Sequence, residues 1–320
     1  MNVFRNALVT FILLFAACLS SHAVPVPAQR AVWVWEEDAF RLLENKSFQK
    51  EITTFLEQRH ISTVYLYADE FRGRNILANE PKKYREFIKD AHKRGFKVYA
   101  LVGSYYLKTP EYIFPEKRGA AMRMFGNVLS FNSAGDSSSQ FDGINVDIEP
   151  YLLDDWDSQK PLRIQQYLQL SAQWMRMKTD AQSTIAVGPA MPFWFDGIED
   201  VEWNGKRQKL NEHLQDIYDY VAIMDYRNFA AGSDGIISHA LDELQYADRA
   251  KRKVVIGVET LASTPEKVTF FGKGSAYMEN ELSLAEAAFL QHPSFAGFVI
   301  HHLSSYQRLA ASREENIDGR

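Results

Sequence analysis

Eight short runs rich in β-branched and apolar residues punctuate this chain, and most lead into a stretch of helical periodicity. The runs read as Ala31–Trp35, Ser62–Tyr67, Phe96–Val102, Gly143–Ile148, Thr184–Gly188, Tyr220–Asp225, Lys253–Val258 and Ala296–His301. Between them, Phe48–Arg59, Pro81–Arg94, Arg163–Thr179, Lys209–Tyr218, Ile237–Ala250 and Leu284–Gln291 carry the spacing that predicts amphipathic helices. Lys93-Arg94-Gly95 supplies a glycine stop at one helix end, as a Schellman cap requires. Alternating strands and helices predict a parallel sheet. Eight such units close into a single (β/α)8 TIM barrel of about 250 residues plus loops, and a chain of 320 residues accommodates it.

Outside that pattern lies the N-terminus. Arg5 precedes a nearly unbroken apolar run from Ala7 to Leu19, and Ser21-His22-Ala23 has a small-x-small cleavage pattern. Residues 1–23 are therefore expected to be a secretory signal peptide, too short in its apolar run to span a bilayer comfortably. The barrel then occupies residues 24–320, with no transmembrane segment in the mature chain. Cys18, the one cysteine, falls within the signal, so the exported domain can form no disulfide. Such a protein suits a bacterial periplasm or secretion. Phe15-Ala16-Ala17-Cys18 loosely resembles a lipobox and leaves lipid anchoring through Cys18 open. Residues 104–140, 189–208 and 259–280 are read as functional loops leaving strand carboxyl ends, and the chain beyond about Ala311 as a frayed tail.

The most informative stretch is Phe141-Asp-Gly-Ile-Asn-Val-Asp-Ile-Glu-Pro150. Alternate side chains of a strand share a face, so Asn145, Asp147 and Glu149 line one side while Ile144, Val146 and Ile148 line the other. Two carboxylates two residues apart resist ionising together, which raises a pKa and makes a general acid available. Acids at a strand end also cap helices or meet surface lysines, but here Pro150 stops the strand abruptly. Other strands end in reactive types as well: Trp35-Glu36, then Tyr67, Asp69 and Glu70, then Met224-Asp225-Tyr226-Arg227, then Glu259, then His301-His302. In a barrel these termini converge on one pocket.

Several chemistries are excluded. With a net charge of −5 and scattered basic residues, nucleic acid is not an expected partner. His301 and His302 are adjacent and point to opposite strand faces, and no His-x-x-x-His or Cys cluster exists, so no metal is expected. There is no phosphate loop and no G-x-S-x-G elbow, and no cofactor is implied. Aromatic residues make up 13% of the chain, an excess that leans toward a carbohydrate ligand, because sugar C–H faces stack on rings.

Asp142-Gly-Ile-Asn-Val-Asp-Ile-Glu149 resembles the D-G-x-D-x-D-x-E signature of the family-18 glycoside hydrolases, the chitinase-like barrels. Met224-Asp225-Tyr226 resembles that family's M-x-Y motif, and both fall on the strands the family would require. The resemblance implies substrate-assisted retaining hydrolysis of a glycan bearing N-acetylated amino sugars. Glu149 would be the general acid, Asp147 would orient the 2-acetamido group, and Tyr226 would hydrogen-bond its carbonyl. Asn145 stands in place of the signature's middle aspartate, where its amide could hydrogen-bond Asp147. Arg227 replaces an aspartate, and His301 replaces the tryptophan at the eighth strand end. The third-strand pattern survives only as Val102-Gly103-Ser104-Tyr105. Trp35, Tyr105, Trp194, Met224, Asp225, Arg227, Glu259 and His301, with Asn145, are the expected substrate-binding residues. Two alternatives stay open: a two-carboxylate retaining glycosidase with Glu149 as acid/base and Glu259 as nucleophile, and a non-catalytic carbohydrate-binding barrel.

Overall fold

The computed structural model describes residues 28–312. The predicted signal segment, with Cys18, and most of the tail after Ala311 lie outside these residues. Eight parallel strands close a barrel: β1 (Arg30–Val34), β2 (Ile61–Tyr67), β3 (Lys97–Val102), β4 (Gly143–Asp147), β5 (Ala186–Pro192), β6 (Tyr220–Met224), β7 (Lys253–Glu259) and β8 (Phe295–His301). Each strand pairs with its neighbours in sequence, and β8 returns to β1. The fold is the single (β/α)8 barrel that the alternation predicts. Among the described residues no helix is long and apolar enough to cross a membrane.

Strand periodicity splits the core into two layers. Outward residues such as Ile144, Val146 and Ile148 pack beneath the helices in one large apolar cluster. A smaller cluster fills the barrel itself, with Trp33, Tyr65, Leu101, Ala190, Tyr220 and Val299. Gly143 is required by this inner layer, because a Cβ there would lie 2.3 Å from the Tyr99 ring. The Asp-Gly opening of β4 thus makes room for an aromatic side chain from β3.

The helices follow ordinary rules. Asn45 caps the helix Lys46–Gln58 by accepting a hydrogen bond from Phe48 N at 3.0 Å. Pro81 opens the next helix, which buries Tyr84, Phe87, Ile88 and Ala91 on one stripe. Gly95 closes it in the left-handed region, with Phe96 N donating to Ala91 O, the Schellman arrangement.

Residues 104–140 differ from the expected long loop, for Arg118–Ser133 form the third barrel helix. Its apolar residues spread around much of the surface, and two glycines interrupt it, so no clean stripe marks it in the sequence. Gly126 faces Met177 on the neighbouring helix, where a Cβ would already be in van der Waals contact at 3.4 Å. The loop after β7 is likewise shorter than expected, because a helix begins at Ser275. Strand β5 runs on to Pro192, beyond the expected Gly188, before a short turn and a two-stranded hairpin, Val201–Trp203 with Lys206–Gln208.

Candidate active site

At the carboxyl end of the barrel a cavity of about 440 Å³ is lined by residues from six strand ends and one loop, among them Trp33, Trp35, Glu36, Ser104, Asp147, Glu149, Ala190, Met224, Tyr226 and His301. Asp147 and Glu149 reach it because strand alternation puts both on the inner face of β4 and its extension. Chain contact there is tight: Gly103, at φ +103°, lies so close to β4 that a Cβ would fall 2.1 Å from the Asp147 carbonyl oxygen. Glycine at that position lets β3 and β4 deliver their ends to one point.

The two carboxyls are electrostatically coupled. Burial raises Asp147 well above the usual carboxylate range, and the charges of Glu149 and Glu36 push it further. The Asp147 Oδ1 is buried and has no hydrogen-bond partner. Burial also raises Glu149, while the Tyr151 hydroxyl and His301 act in the opposite sense. The Tyr151 hydroxyl donates to Glu149 Oε1, leaving Oε2 as the oxygen free to carry a proton. Tyr226 stays a neutral hydroxyl, since burial and the surrounding carboxylates of Glu259, Glu149 and Asp147 all push its pKa up.

Met224 and Tyr226 line the cavity, whereas Asp225 between them points outward. Asp225 is fully buried behind the barrel wall, where its Oδ1 meets His239 Nδ1 at 3.0 Å. Burial lifts it to about 6, with His239 working against the shift. Arg227 also turns away: its Nε and Nη2 donate to Asp234 Oδ1 at 2.9 and 2.7 Å, and its guanidinium covers the Phe193 ring. Both therefore hold the β6 loop in shape and neither lines the cavity.

Glu259 and His301 are paired across neighbouring strands, β7 and β8. Trp35 Nε1 donates to His301 Nε2 at 2.9 Å. The imidazole proton must then sit on Nδ1, which donates to Glu259 Oε2 at 2.8 Å. Glu259 Oε1 accepts from Thr260 N at 2.7 Å and Leu261 N at 2.6 Å. Glu259 is not part of the cavity lining, and both its oxygens are committed. It orients His301, which in turn orients Trp35. Trp194 packs edge-on against Tyr151, with centroids 5.2 Å apart, and so stands behind the Glu149 partner without lining the cavity. Tyr105 lies at the rim, largely exposed.

Asn145 departs most from expectation. It is fully buried inside the barrel, its Oδ1 accepting from Trp33 Nε1 at 2.9 Å and its Nδ2 donating to Gly188 O at 3.2 Å. It makes no bond to Asp147 and does not line the cavity. An aspartate here would satisfy Trp33 yet set a carboxylate oxygen against the Gly188 carbonyl. Asn145→Asp is therefore expected to lower stability by about 3 kcal/mol in urea unfolding at neutral pH. The loss should shrink in acid, where a protonated carboxyl can donate to Gly188.

Three participants escaped the residue-by-residue reading. Tyr151 follows Glu149 by two positions, and the short turn begun by Pro150 brings it back onto the acid. A tyrosine placed so close after an acid-proline step is the signal available in the sequence. Trp33 is the inward neighbour of Trp35 on β1 and reaches the cavity floor. Ser104, secured by Ser104 N donating to Thr109 Oγ1 at 2.8 Å, donates its hydroxyl to Glu36 Oε1.

Solved structures resemble this architecture. A GH18 chitinase from Cycas revoluta in complex with (GlcNAc)3 is 10% identical with a TM-score of 0.52, covering 87% of this chain and 96% of that one. A GH18 chitinase from Pseudoalteromonas aurantia is 13% identical with a TM-score of 0.52, covering 88% of this chain and 100% of that one. The Cycas enzyme complexed with allosamidin gives 10% identity and a TM-score of 0.51, covering 87% and 96%. No family model matches the sequence, and no curated protein matches it. At such identities the likeness is one of backbone architecture. The chain is built on the (β/α)8 barrel that these family-18 chitinases share.

Proposed function

We propose that this protein is a divergent family-18-type glycoside hydrolase that cleaves a glycan containing N-acetylated amino sugars. The observation that carries this reading is the meeting of Asp147, Glu149 and Tyr226 in one aromatic-walled cavity, both carboxyls held toward their protonated forms. Glu149 gives its proton to the glycosidic oxygen as the bond to the anomeric carbon breaks. The 2-acetamido oxygen forms the replacing bond, yielding an oxazolinium ion. The acetamido N–H supplies the donor that Asp147 Oδ1 lacks in the free protein and so favours its ionised form; that carboxylate balances the positive charge growing on the group, and Tyr226 donates to the acetamido oxygen. Water then attacks the anomeric carbon from the side that the leaving group vacated, breaking the bond to the acetamido oxygen and losing its proton to Glu149, so configuration is retained. Export follows the N-terminal signal pattern, either with removal of residues 1–23 or, as the alternative, with lipid attachment at Cys18.

The two-glutamate alternative needs Glu259 to attack the sugar, yet Glu259 already accepts three hydrogen bonds away from the cavity lining. A panel of glycans with and without 2-acetamido groups tests the assignment. Product should be released from acetamido-bearing glycans alone, and a thiazoline that mimics the cyclic intermediate should inhibit release. Release from acetamido-free glycans, insensitive to thiazoline, would transfer the chemistry to Glu259. Binding without release would make the protein a carbohydrate-binding barrel.

A further inference from the structure

The cavity holds a third carboxyl that the proposed hydrolysis does not use. Glu36 lies at the first turn of the helix Glu36–Glu44, directly after β1. Its Oε1 accepts from Ser104 Oγ, and that hydroxyl oxygen in turn accepts from Tyr106 N at 3.1 Å. The chain of bonds pins the carboxyl in place, and its second oxygen has no protein partner among the described residues. Acids in a first helical turn suit the positive end of the helix, which accounts for an acid at this position but not for its turn into the cavity.

The cavity gathers the acidic side chains of Glu36, Asp147 and Glu149 without a lysine or arginine to answer them. Among the described residues no basic side chain forms an ion pair with any of the three, since the nearby His301 pairs with Glu259 instead. Asp147 Oδ1, buried and without a partner, adds an unmet acceptor. A cation entering a site of carboxyls under aromatic walls favours the ionised form of each carboxyl it meets and is attracted in turn, whereas an anion is repelled. Trp35, Tyr105 and Tyr106 line the same cavity as Glu36, and aromatic rings attract cations at their faces.

We propose that Glu36 forms an amine-binding subsite, so that the preferred substrate is a partly deacetylated polymer of amino sugars. This rests on the hydrolytic reading above and narrows its substrate. The sugar undergoing cleavage must keep its acetamido group, because that group supplies the attacking oxygen. The amine therefore belongs to a neighbouring unit, whose protonated 2-ammonium donates to the free oxygen of Glu36. An acetamido N–H at the same place offers one neutral donor and leaves the carboxylate without a counter-charge. Glycans built on uronic acids meet only repulsion.

The test compares kcat/KM on a fully acetylated oligomer and on oligomers of equal length carrying one free amine outside the cleaved unit, in mildly acidic buffer. The native protein should favour the amine-bearing oligomer by about tenfold. Glu36→Gln should bring that ratio close to one, and Glu36→Asp should keep part of it. Equal or faster cleavage of the fully acetylated oligomer by the native protein would overturn the subsite, as would an unchanged ratio in Glu36→Gln. Calorimetric binding of both oligomers to Glu149→Gln separates the two readings. If no oligomer is cleaved, the hydrolytic reading falls, yet tighter binding of the amine-bearing oligomer still supports the subsite and equal binding still overturns it.

Discussion

Glu149→Gln is expected to lower kcat on a suitable acetamido glycan on the order of 10³-fold while changing ligand binding little. Glutamine keeps the shape of the side chain and can still accept the Tyr151 hydroxyl at its carbonyl oxygen. What it lacks is a transferable proton. The leaving oxygen must then depart as an alkoxide or take its proton from solvent, and the barrier rises accordingly. The pH profile should respond in a defined direction. Burial raises Glu149, so its proton persists above the ordinary carboxylate range, and activity falls as pH rises through that raised value. In the variant that alkaline limb should vanish from whatever activity remains. An unchanged kcat would end the case for residue 149 as the acid.

Asp147→Asn is expected to depress turnover by roughly 10²-fold and, at the same time, to raise thermal stability. The first effect follows from losing the charge that balances the developing oxazolinium. The second follows from the native site, where Asp147 is buried beside two other carboxyls and its Oδ1 has no donor. Native Asp147 keeps a proton that the unfolded chain surrenders above about pH 4. Over that window the native state binds more protons, so stability falls as pH rises until the raised native value is passed. Asparagine does not titrate and escapes this loss. At neutral pH a rise in Tm of about 2–4 °C is expected, with the advantage fading toward acid. Opposite movements of stability and turnover mark a site strained for function. A variant that is both slower and less stable would place Asp147 in an ordinary structural role.

Legibility varied with the range of the interactions. All eight strands were visible as apolar runs, because strands buried on both faces must read that way. The helix Arg118–Ser133 was not, since its apolar residues answer to neighbours on more than one side and its glycines mimic loop punctuation. The face shared by Asp147 and Glu149 was also readable, for a two-residue repeat is a local property of the chain. The same repeat correctly aligned Asn145 with them, but it could not say how deep in the barrel residue 145 would lie. Depth there depends on Trp33 from β1 and Gly188 from β5, more than 40 positions away in either direction.

The strand termini behaved alike. Sequence order delivered Glu259, His301, Asp225 and Arg227 to the correct end of the barrel, yet of these four only His301 lines the cavity. Register across β7 and β8 decided that Glu259 would serve His301, and the packing of the β6 loop decided that Arg227 would serve Asp234. The chain by itself determined the closed ring of strands and the pair of acids on its fourth member, since both arise from periodicities of one to four residues. Only tertiary structure turned Glu36 inward onto Ser104 and left Asp147 without a donor. Those outcomes rest on distances between segments far apart in sequence, and local spacing carries no record of them.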